Sequence, residues 1–385
     1  MFPSDHGAGD VKGAGAFLTV DLDAIATNYR RLSEFLGPNT ECGAVVKADA
    51  YGLGLGPVAK ALWDAGCRSF FVAITQEALR LQELLPDAAI HVFNGVEADT
   101  AAVTAAAGLI PVLNHPGQIE TWTGEARARA ATLPAMLHVD TGMTRLGLSA
   151  AEVEALADTP EQITGLTLDT VMSHLACADE PENLLNGEQL AQFEADLNIL
   201  APLRPLRASL ANSSGIFLGV PFHFDLARPG AALYGINAGT QATKLMAQTI
   251  KLQGKILQTR TIDTPSTVGY GATHRAEADQ RISTIGVGYA DGFLRSLSNS
   301  ASAFIGGVRV PVIGRVSMDL ITIDVTAIPA RDTHPGALVD LIGPEHTADD
   351  LAMEAGTIGY EILSALGQRF ERRYQGGDGQ IGSDP

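Results

Sequence analysis

The chain has 385 residues, 46% of them apolar, and a formal net charge of −18. That length accommodates two domains, and that apolar share supports a sizeable core, which excludes wholesale disorder. The acidic balance argues against nucleic acid or an anionic membrane surface as partner, because both require clustered Lys and Arg, although a local basic site for an anionic cofactor is compatible with it.

Residues 1–16 are rich in Gly and Ala and lack a continuous apolar stretch, so they read as a loose leader. No run of ~18 apolar residues occurs, and a cytoplasmic protein is expected. Phe17–Val20 reads as a strand that belongs with the second half of the chain. Apolar, β-branched runs then alternate with Ala-rich helical stretches. They fall at Cys42–Val46, Ser69–Ile74, Ile90–Phe93, Leu109–Leu113, Ala135–Val139, Leu168–Ser173, Arg207–Leu210 and Asp225–Leu233. Between them lie segments such as Gly56–Ala65, Thr75–Leu85 and Asn186–Leu200, with apolar residues near helical spacing. Eight strand–helix alternations predict an α/β fold, a (β/α)8 TIM barrel over residues 17–243.

After residue 243 the texture changes to Val, Ile and Thr runs punctuated by Gly and Pro. Thr249–Thr261, Arg281–Val287, Ala303–Val312, Leu320–Val325 and Leu338–Ile342 read as short strands, which predicts a mainly-β domain over 244–375. Residues 376–385 read as a mobile tail. Three cysteines, Cys42, Cys67 and Cys177, without a CxxC pair, argue against a disulfide framework or a zinc knuckle, and no metal is expected.

The chemistry starts where the first barrel strand ends. Lys47 follows Ala44-Val45-Val46 and precedes Ala48-Asp49-Ala50-Tyr51-Gly52-Leu53-Gly54. A lysine ending an apolar barrel strand points into the mouth where catalytic groups sit, and an amine there can condense with an aldehyde cofactor. A lone lysine in this place is more often a surface residue closing a strand. The whole string, however, closely resembles the cofactor-lysine signature of alanine racemases, and matching strings continue over roughly residues 18–370.

That resemblance implies pyridoxal 5'-phosphate as cofactor, carried by Lys47, whose amine also serves as one of two catalytic bases. Tyr51 would help to hold the phosphate. Arg145, in His138-Val139-Asp140-Thr141-Gly142-Met143-Thr144-Arg145, resembles the arginine that contacts the substrate carboxylate and the catalytic tyrosine, a task suited to a planar, permanently charged fork. Many family members have a carbamylated lysine at the position of His138, which braces that arginine. Histidine cannot form the same stable group, so the brace is an anion or the imidazole itself, or His138 is a satisfied core histidine. His174 resembles the histidine packed on the cofactor ring. Asn212 and Ser213, in Asn212-Ser213-Ser214-Gly215, resemble phosphate ligands, and an N-cap role for Ser213 is compatible with that. In Arg228-Pro229-Gly230-Ala231-Ala232-Leu233-Tyr234, Gly230 and Ala231 would offer main-chain amides to the phosphate and Tyr234 a further contact. Arg228 resembles the arginine facing the pyridine nitrogen. An arginine does not readily give up its proton, so the ring nitrogen accepts a hydrogen bond instead, which weakens electron withdrawal and favours clean proton return.

In the second half, Val268-Gly269-Tyr270-Gly271 resembles the strand bearing the opposite-face base, Tyr270. Most members have Ser before this tyrosine. Phenols ordinarily titrate near ~10, so such a base needs a neighbouring cation, for which Arg145 is the candidate. Tyr289, Met318 and Asp319 resemble residues that line the site from a second subunit, and Tyr360 a tyrosine at the inner gate of the substrate channel. The resemblance thus implies interconversion of L- and D-alanine in a homodimer with shared sites, supplying D-alanine for peptidoglycan or feeding alanine catabolism. A broad-specificity racemase for serine, lysine or arginine is the main rival, because only pocket size separates these. A decarboxylase of the ornithine or diaminopimelate type, with the same architecture, would lack the Lys47 string and the Tyr270 strand. A non-catalytic cofactor-handling protein would lack the β domain.

Overall fold

The computed structural model describes residues 14–203, 206–239 and 245–377. The chain forms two compact units, one of Ile25–Ala247 and one combining Met1–Ala24 with Gln248–Pro385. The boundary expected at 243/244 lies outside the described residues, as do most of the expected leader and tail.

The first strand, β1 (Ala16–Asp21), belongs to the second unit and is taken up below. In the Ile25–Ala247 unit, β2 (Glu41–Cys42) and β3 (Ala44–Val45) are two halves of one strand interrupted at Gly43. β4 (Ser69–Val72), β5 (Ala89–Val92), β6 (Ile110–Leu113), β7 (Leu133–His138), β8 (Leu166–Met172) and β9 (Arg207–Ser209) follow, each parallel to the one before, from β3 onward. β10 (Leu226–Ala227) pairs in parallel with β2. Its other edge meets β9 through the Asp225 amide on the Ala208 carbonyl and the Arg228 amide on the Ala211 carbonyl. The sheet therefore closes into an eight-stranded (β/α)8 barrel. Helices such as Leu55–Asp64, Thr75–Leu84 and Leu184–Leu200 lie between the strands in sequence. Strands in a parallel barrel are covered on both faces, and β4 is accordingly buried at all four positions. Trp122 and Phe193 are fully enclosed in the core around β7 and β8, and burying rings of that size stabilises the fold by about 3 kcal/mol each.

The expected eighth strand, Asp225–Leu233, is shorter than its apolar run. After Ala227 the chain turns through Arg228-Pro229-Gly230, and Ala231–Tyr234 forms one helical turn. Those residues are apolar because they are buried, not because they are extended.

The second unit is built on the long β11 (Ile250–Thr261). β1 pairs antiparallel with it and parallel with β19 (Glu371–Gln375). Around them lie the hairpin β12 (Ser266–Val268) and β13 (His274–Ala276), then β14 (Arg281–Ile285), β15 (Ser302–Ile305), β16 (Val308–Pro311), β17 (Ile321–Asp324) and β18 (Leu338–Ile342). The run Ala303–Val312 is a hairpin, β15–β16, turning at Gly306-Gly307. Helices Ala348–Ala355 and Gly359–Ala365 also belong to this unit, the first opened by a capping box between Thr347 and Asp350. The domain is mainly β. At the edge of the expected leader, the Gly15 carbonyl accepts from the Lys255 amide. At the start of the expected tail, the Gly377 amide donates to Asp23.

Candidate active site

In the barrel unit the chemistry-bearing residues collect at the carboxyl ends of the strands, where open loops leave side chains room to converge. Lys47 follows β3 by two residues and is half-buried. The next four residues, Ala48, Asp49, Ala50 and Tyr51, have φ of +53° to +58°, a left-handed turn built without glycine. The Lys47 ammonium lies 5.9 Å from the centroid of the Phe93 ring. Burial lowers its pKa, the Arg145 guanidinium lowers it further, and Glu77 opposes both.

Ser213 sits just inside a short helix, Ser213–Ile216, whose N-cap is Asn212, its side chain accepting from the Gly215 amide at 2.8 Å. The Ser213 hydroxyl accepts from the amides of Gly230 (2.9 Å) and Ala232 (3.2 Å), with Ala231 between them. Gly230 packs directly against Tyr51: a Cβ there would stand 2.4 Å from the phenol oxygen and 3.3 Å from the Val45 Cβ. The Tyr51 ring packs at a tilt against Tyr234, their centroids 4.8 Å apart, and the Tyr234 hydroxyl donates to the Val45 carbonyl at 2.9 Å. Tyr234 thus supports the strand that carries Lys47. Its hydroxyl bonds main chain, a partner that sequence reasoning did not foresee.

Arg228 is 2% exposed. Its guanidinium donates to the Ser209 hydroxyl (2.5 Å) and to the Ser173 carbonyl (2.6 Å), both neutral oxygens. Burial brings its pKa down to about 9, so it remains charged at neutral pH. That charge helps to hold nearby imidazoles neutral. His174 is pushed down to about 3, by burial first and then by Arg228 and Arg145, and His138 to about 4, by burial and then Arg228. The His138 Nδ1 faces Asn114 Oδ1 at 2.7 Å. The Asn114 amide nitrogen donates to the carbonyls of Phe93 and Val112, so its oxygen is the acceptor and His138 carries its proton on Nδ1. His138 is therefore fixed by Asn114, as a satisfied core histidine would be. The loop after it is pinned by Asp140, whose carboxylate accepts from the amides of Gly142, Met143 and Thr144. Arg145 follows directly on that loop and is exposed.

The second unit presents another set. Tyr270 is 72% exposed on the turn between β12 and β13. Gly269 has φ +71° and ψ −173°, a conformation essentially reserved for glycine, which gives the departure from the usual serine a local reason. Tyr289 and Met318 are also exposed and adjoin, because the amides of Tyr289 and Ala290 donate to the carbonyls of Ser317 and Met318. Asp319 is held by Arg369 at 2.7 Å, and the same guanidinium grips Asp291 through two bonds of 2.6 and 3.0 Å. Tyr360 lies in the first turn of the helix Gly359–Ala365 and is partly exposed. Arg369, Asp140, Asn114 and Ala232 escaped the sequence reading. Only Asp140, followed by Thr-Gly within the loop, carried a turn signal that could have found it.

The barrel residues fit pyridoxal phosphate. A hydroxyl and two amides converge next to a phenol, in a space that one added methyl would obstruct, and a desolvated lysine belongs to the same barrel mouth. Among the described residues no cluster suited to a metal occurs, and no helix is long and apolar enough to cross a membrane.

Residues 20–238 match the family "Alanine racemase, N-terminal domain" and residues 249–374 "Alanine racemase, C-terminal domain". An alanine racemase of Rhodospirillum rubrum is 52% identical over 371 residues, covering 95% of this chain and 98% of the relative. A catabolic alanine racemase of Mesorhizobium japonicum is 48% identical over 367 residues, 94% of each chain. The crystal structure of an alanine racemase from Bartonella henselae with covalently bound pyridoxal phosphate superposes with a TM-score of 0.89 at 39% identity, over 94% of this chain and all of that one.

Proposed function

The chain belongs to the alanine racemase family, pyridoxal-phosphate-dependent isomerases that interconvert L- and D-alanine, and we propose that Lys47 and Tyr270 are its two acid–base groups, brought together from two copies of the chain. The observation that carries this reading is the pairing of a desolvated Lys47 with the Ser213–Gly230–Tyr51 cradle in one barrel mouth. When bound, pyridoxal phosphate supplies an electron-withdrawing ring that acidifies the α-hydrogen of an attached amino acid. Lys47 holds the cofactor covalently. Ser213, the amides of Gly230 and Ala231, and Tyr51, with Asn212 and Tyr234 behind them, hold its phosphate. Arg228 would face the ring nitrogen as a hydrogen-bond donor that keeps its own proton, consistent with a charge that survives burial. His174 stays neutral beside the ring.

Arg145 binds the substrate carboxylate. A proton is taken from one face at the Tyr270 oxygen and delivered to the other at the Lys47 nitrogen, or the reverse, because a single base would return it to the face it came from. Burial and Arg145 lower the pKa of Lys47, which makes its amine a readier proton donor and eases its use as a base. The exposure of Tyr270, Tyr289 and Met318 supports their placement against a second subunit, with Asp319, aligned by Arg369, beside them and Tyr360 at the channel gate. Three unpaired cysteines support a cytoplasmic setting. The in-cell role is D-alanine supply or alanine catabolism, and a deletion strain that grows only with added D-alanine identifies the former.

The test of the lysine assignment is borohydride reduction of the yellow holoenzyme followed by peptide mapping. The cofactor should be found on Lys47, and Lys47→Ala should lose both colour and racemisation. A reducible chromophore retained in that variant places the cofactor on another lysine.

A further inference from the structure

The lysine turn poses a physical problem. Four consecutive residues with side chains, Ala48 to Tyr51, occupy the left-handed region, where each costs roughly 1–2 kcal/mol relative to the right-handed one. Such strain persists only where the surroundings over-determine it. Part of the hold is local: the Ala50 amide donates to the Val46 carbonyl, and the Gly52 amide to that of Ala48. Asp49 accepts from the Leu55 amide at 2.9 Å.

A further hold comes from a different strand–helix unit. Glu77, in the first turn of helix Thr75–Leu84, accepts from the Ala48 amide through Oε1 at 2.6 Å. Its Oε2 accepts from the Ala73 amide at 2.9 Å. Ala48 is the residue directly after Lys47, and Ala73 directly follows β4. One carboxylate thus ties the main chain after Lys47 to the end of the neighbouring barrel strand.

We propose that Glu77 is a positioning residue for the racemisation: its two oxygens fix the left-handed turn that aims the Lys47 amine. The inference rests on the reading of Lys47 as cofactor carrier and catalytic base. The charged groups coupled to Lys47 are Arg145, from the loop after β7, which disfavours the ammonium, and Glu77, which favours it. His174, from the end of β8, is neutral. Glu77 is the one carboxylate among them. Without it, the amine is left with only desolvation and a cation, and its pKa falls further.

The test compares Glu77→Gln, Glu77→Asp, Glu77→Ala and Leu81→Val as holoenzymes. Leu81 is a buried apolar residue one turn further along the same helix, and its trimming loosens the helix while leaving both Glu77 oxygens in place. Glu77→Gln keeps an acceptor for the Ala48 amide but presents a donor to the Ala73 amide and has no charge. Glu77→Asp keeps the charge but is too short to span both amides. In pH profiles of kcat, where the Lys47 amine is free of the cofactor, the acid limb governed by that amine should move down in Glu77→Gln and Glu77→Ala, and stay in place in Glu77→Asp and Leu81→Val. In kcat, Glu77→Ala should lose about ten- to a hundredfold, and Glu77→Gln and Glu77→Asp less.

The inference is overturned if Glu77→Ala lowers Tm as Leu81→Val does but leaves kcat within twofold and the acid limb at its wild-type position. If Glu77→Ala does not fold, Glu77→Gln and Glu77→Asp decide by the same limb. Peptide mapping of the reduced holoenzyme keeps the two readings separate. Cofactor on another lysine defeats the assignment of Lys47, whereas cofactor on Lys47 with an unmoved limb defeats only the role of Glu77.

Discussion

Replacing Gly230 by Ala should weaken cofactor binding while leaving the barrel folded. The glycine has φ −127°, so the backbone itself does not forbid a side chain. The obstacle is space: the new Cβ would meet the Tyr51 oxygen at 2.4 Å and its ring carbon at 3.1 Å. Ordinary contact requires the phenol oxygen to retreat by about 1 Å. Tyr51 is 8% exposed and lies against Tyr234, which is 1% exposed and bonded to Val45, so the ring has little room to move. Overpacking of this kind costs about 1–3 kcal/mol of stability. The loss of one hydrogen bond to a charged phosphate costs about 1.5–3 kcal/mol of affinity, which corresponds to about ten- to a hundredfold in Kd. The assay is titration of the cofactor-free protein with pyridoxal phosphate, followed by absorbance, with Tm measured in parallel. Tyr51→Phe should lose affinity to a similar degree without the loss of stability. Wild-type affinity in Gly230→Ala would show that the phosphate lies elsewhere and would refute the cradle.

Two further outcomes are expected. Tyr289, Tyr360 and Met318 wall a small pocket in this account, and overlap rejects large side chains more strongly than lost methylenes, at ~1–3 kcal/mol each, reject small ones. Alanine should be racemised fastest, serine weakly, and lysine or arginine negligibly. A kcat/KM for arginine comparable with that for alanine would move the enzyme to the broad-specificity group. The second outcome concerns pH. His91, His138 and His174 titrate at about 3, 4 and 3 in the folded barrel, chiefly through burial, and near ~6.5 when unfolded. Between these limits the unfolded chain binds more protons, so the stability they contribute is complete above pH ~6.5 and falls as the pH drops toward 4, by roughly 4 kcal/mol per pH unit for the three together. Urea unfolding of the cofactor-free protein at pH 6.5, 6.0 and 5.5 measures this, and a flat profile would contradict it.

The two halves of the fold were legible in the sequence for different reasons. Barrel strands such as Ser69–Val72 announce themselves as short apolar runs flanked by helical periodicity, because they are covered on both faces. Asp225–Leu233 was overextended because a run of apolar residues does not distinguish a buried strand from a buried helical turn. Ala348–Ala355 was missed because a short helix set among strands has little periodicity to reveal it, although the Thr347–Asp350 capping box was written in the chain. At the site, the residues proposed to face a ligand are named from their strings. Their supports are not: Glu77 to Ala48 and Asn114 to His138 join positions 29 and 24 residues apart, and Arg369 reaches Asp319 across 50. Such pairings depend on the closed sheet or the folded β unit, and no local spacing encodes them.

The central claim is that each site takes Lys47 from one chain and Tyr270 from the other. Tyr270 is exposed on its own unit, and a two-fold dimer would complete two equal sites by exchange. Lys47→Ala and Tyr270→Ala should each be nearly inactive as homodimers. In a mixed dimer one site receives both lesions and the other neither. After dissociation, mixing and reassembly, about half of the dimers are mixed, each with one intact site, so activity should return to roughly a quarter of wild type. Verified mixed dimers that remain inactive would place both bases in one chain and contradict the account.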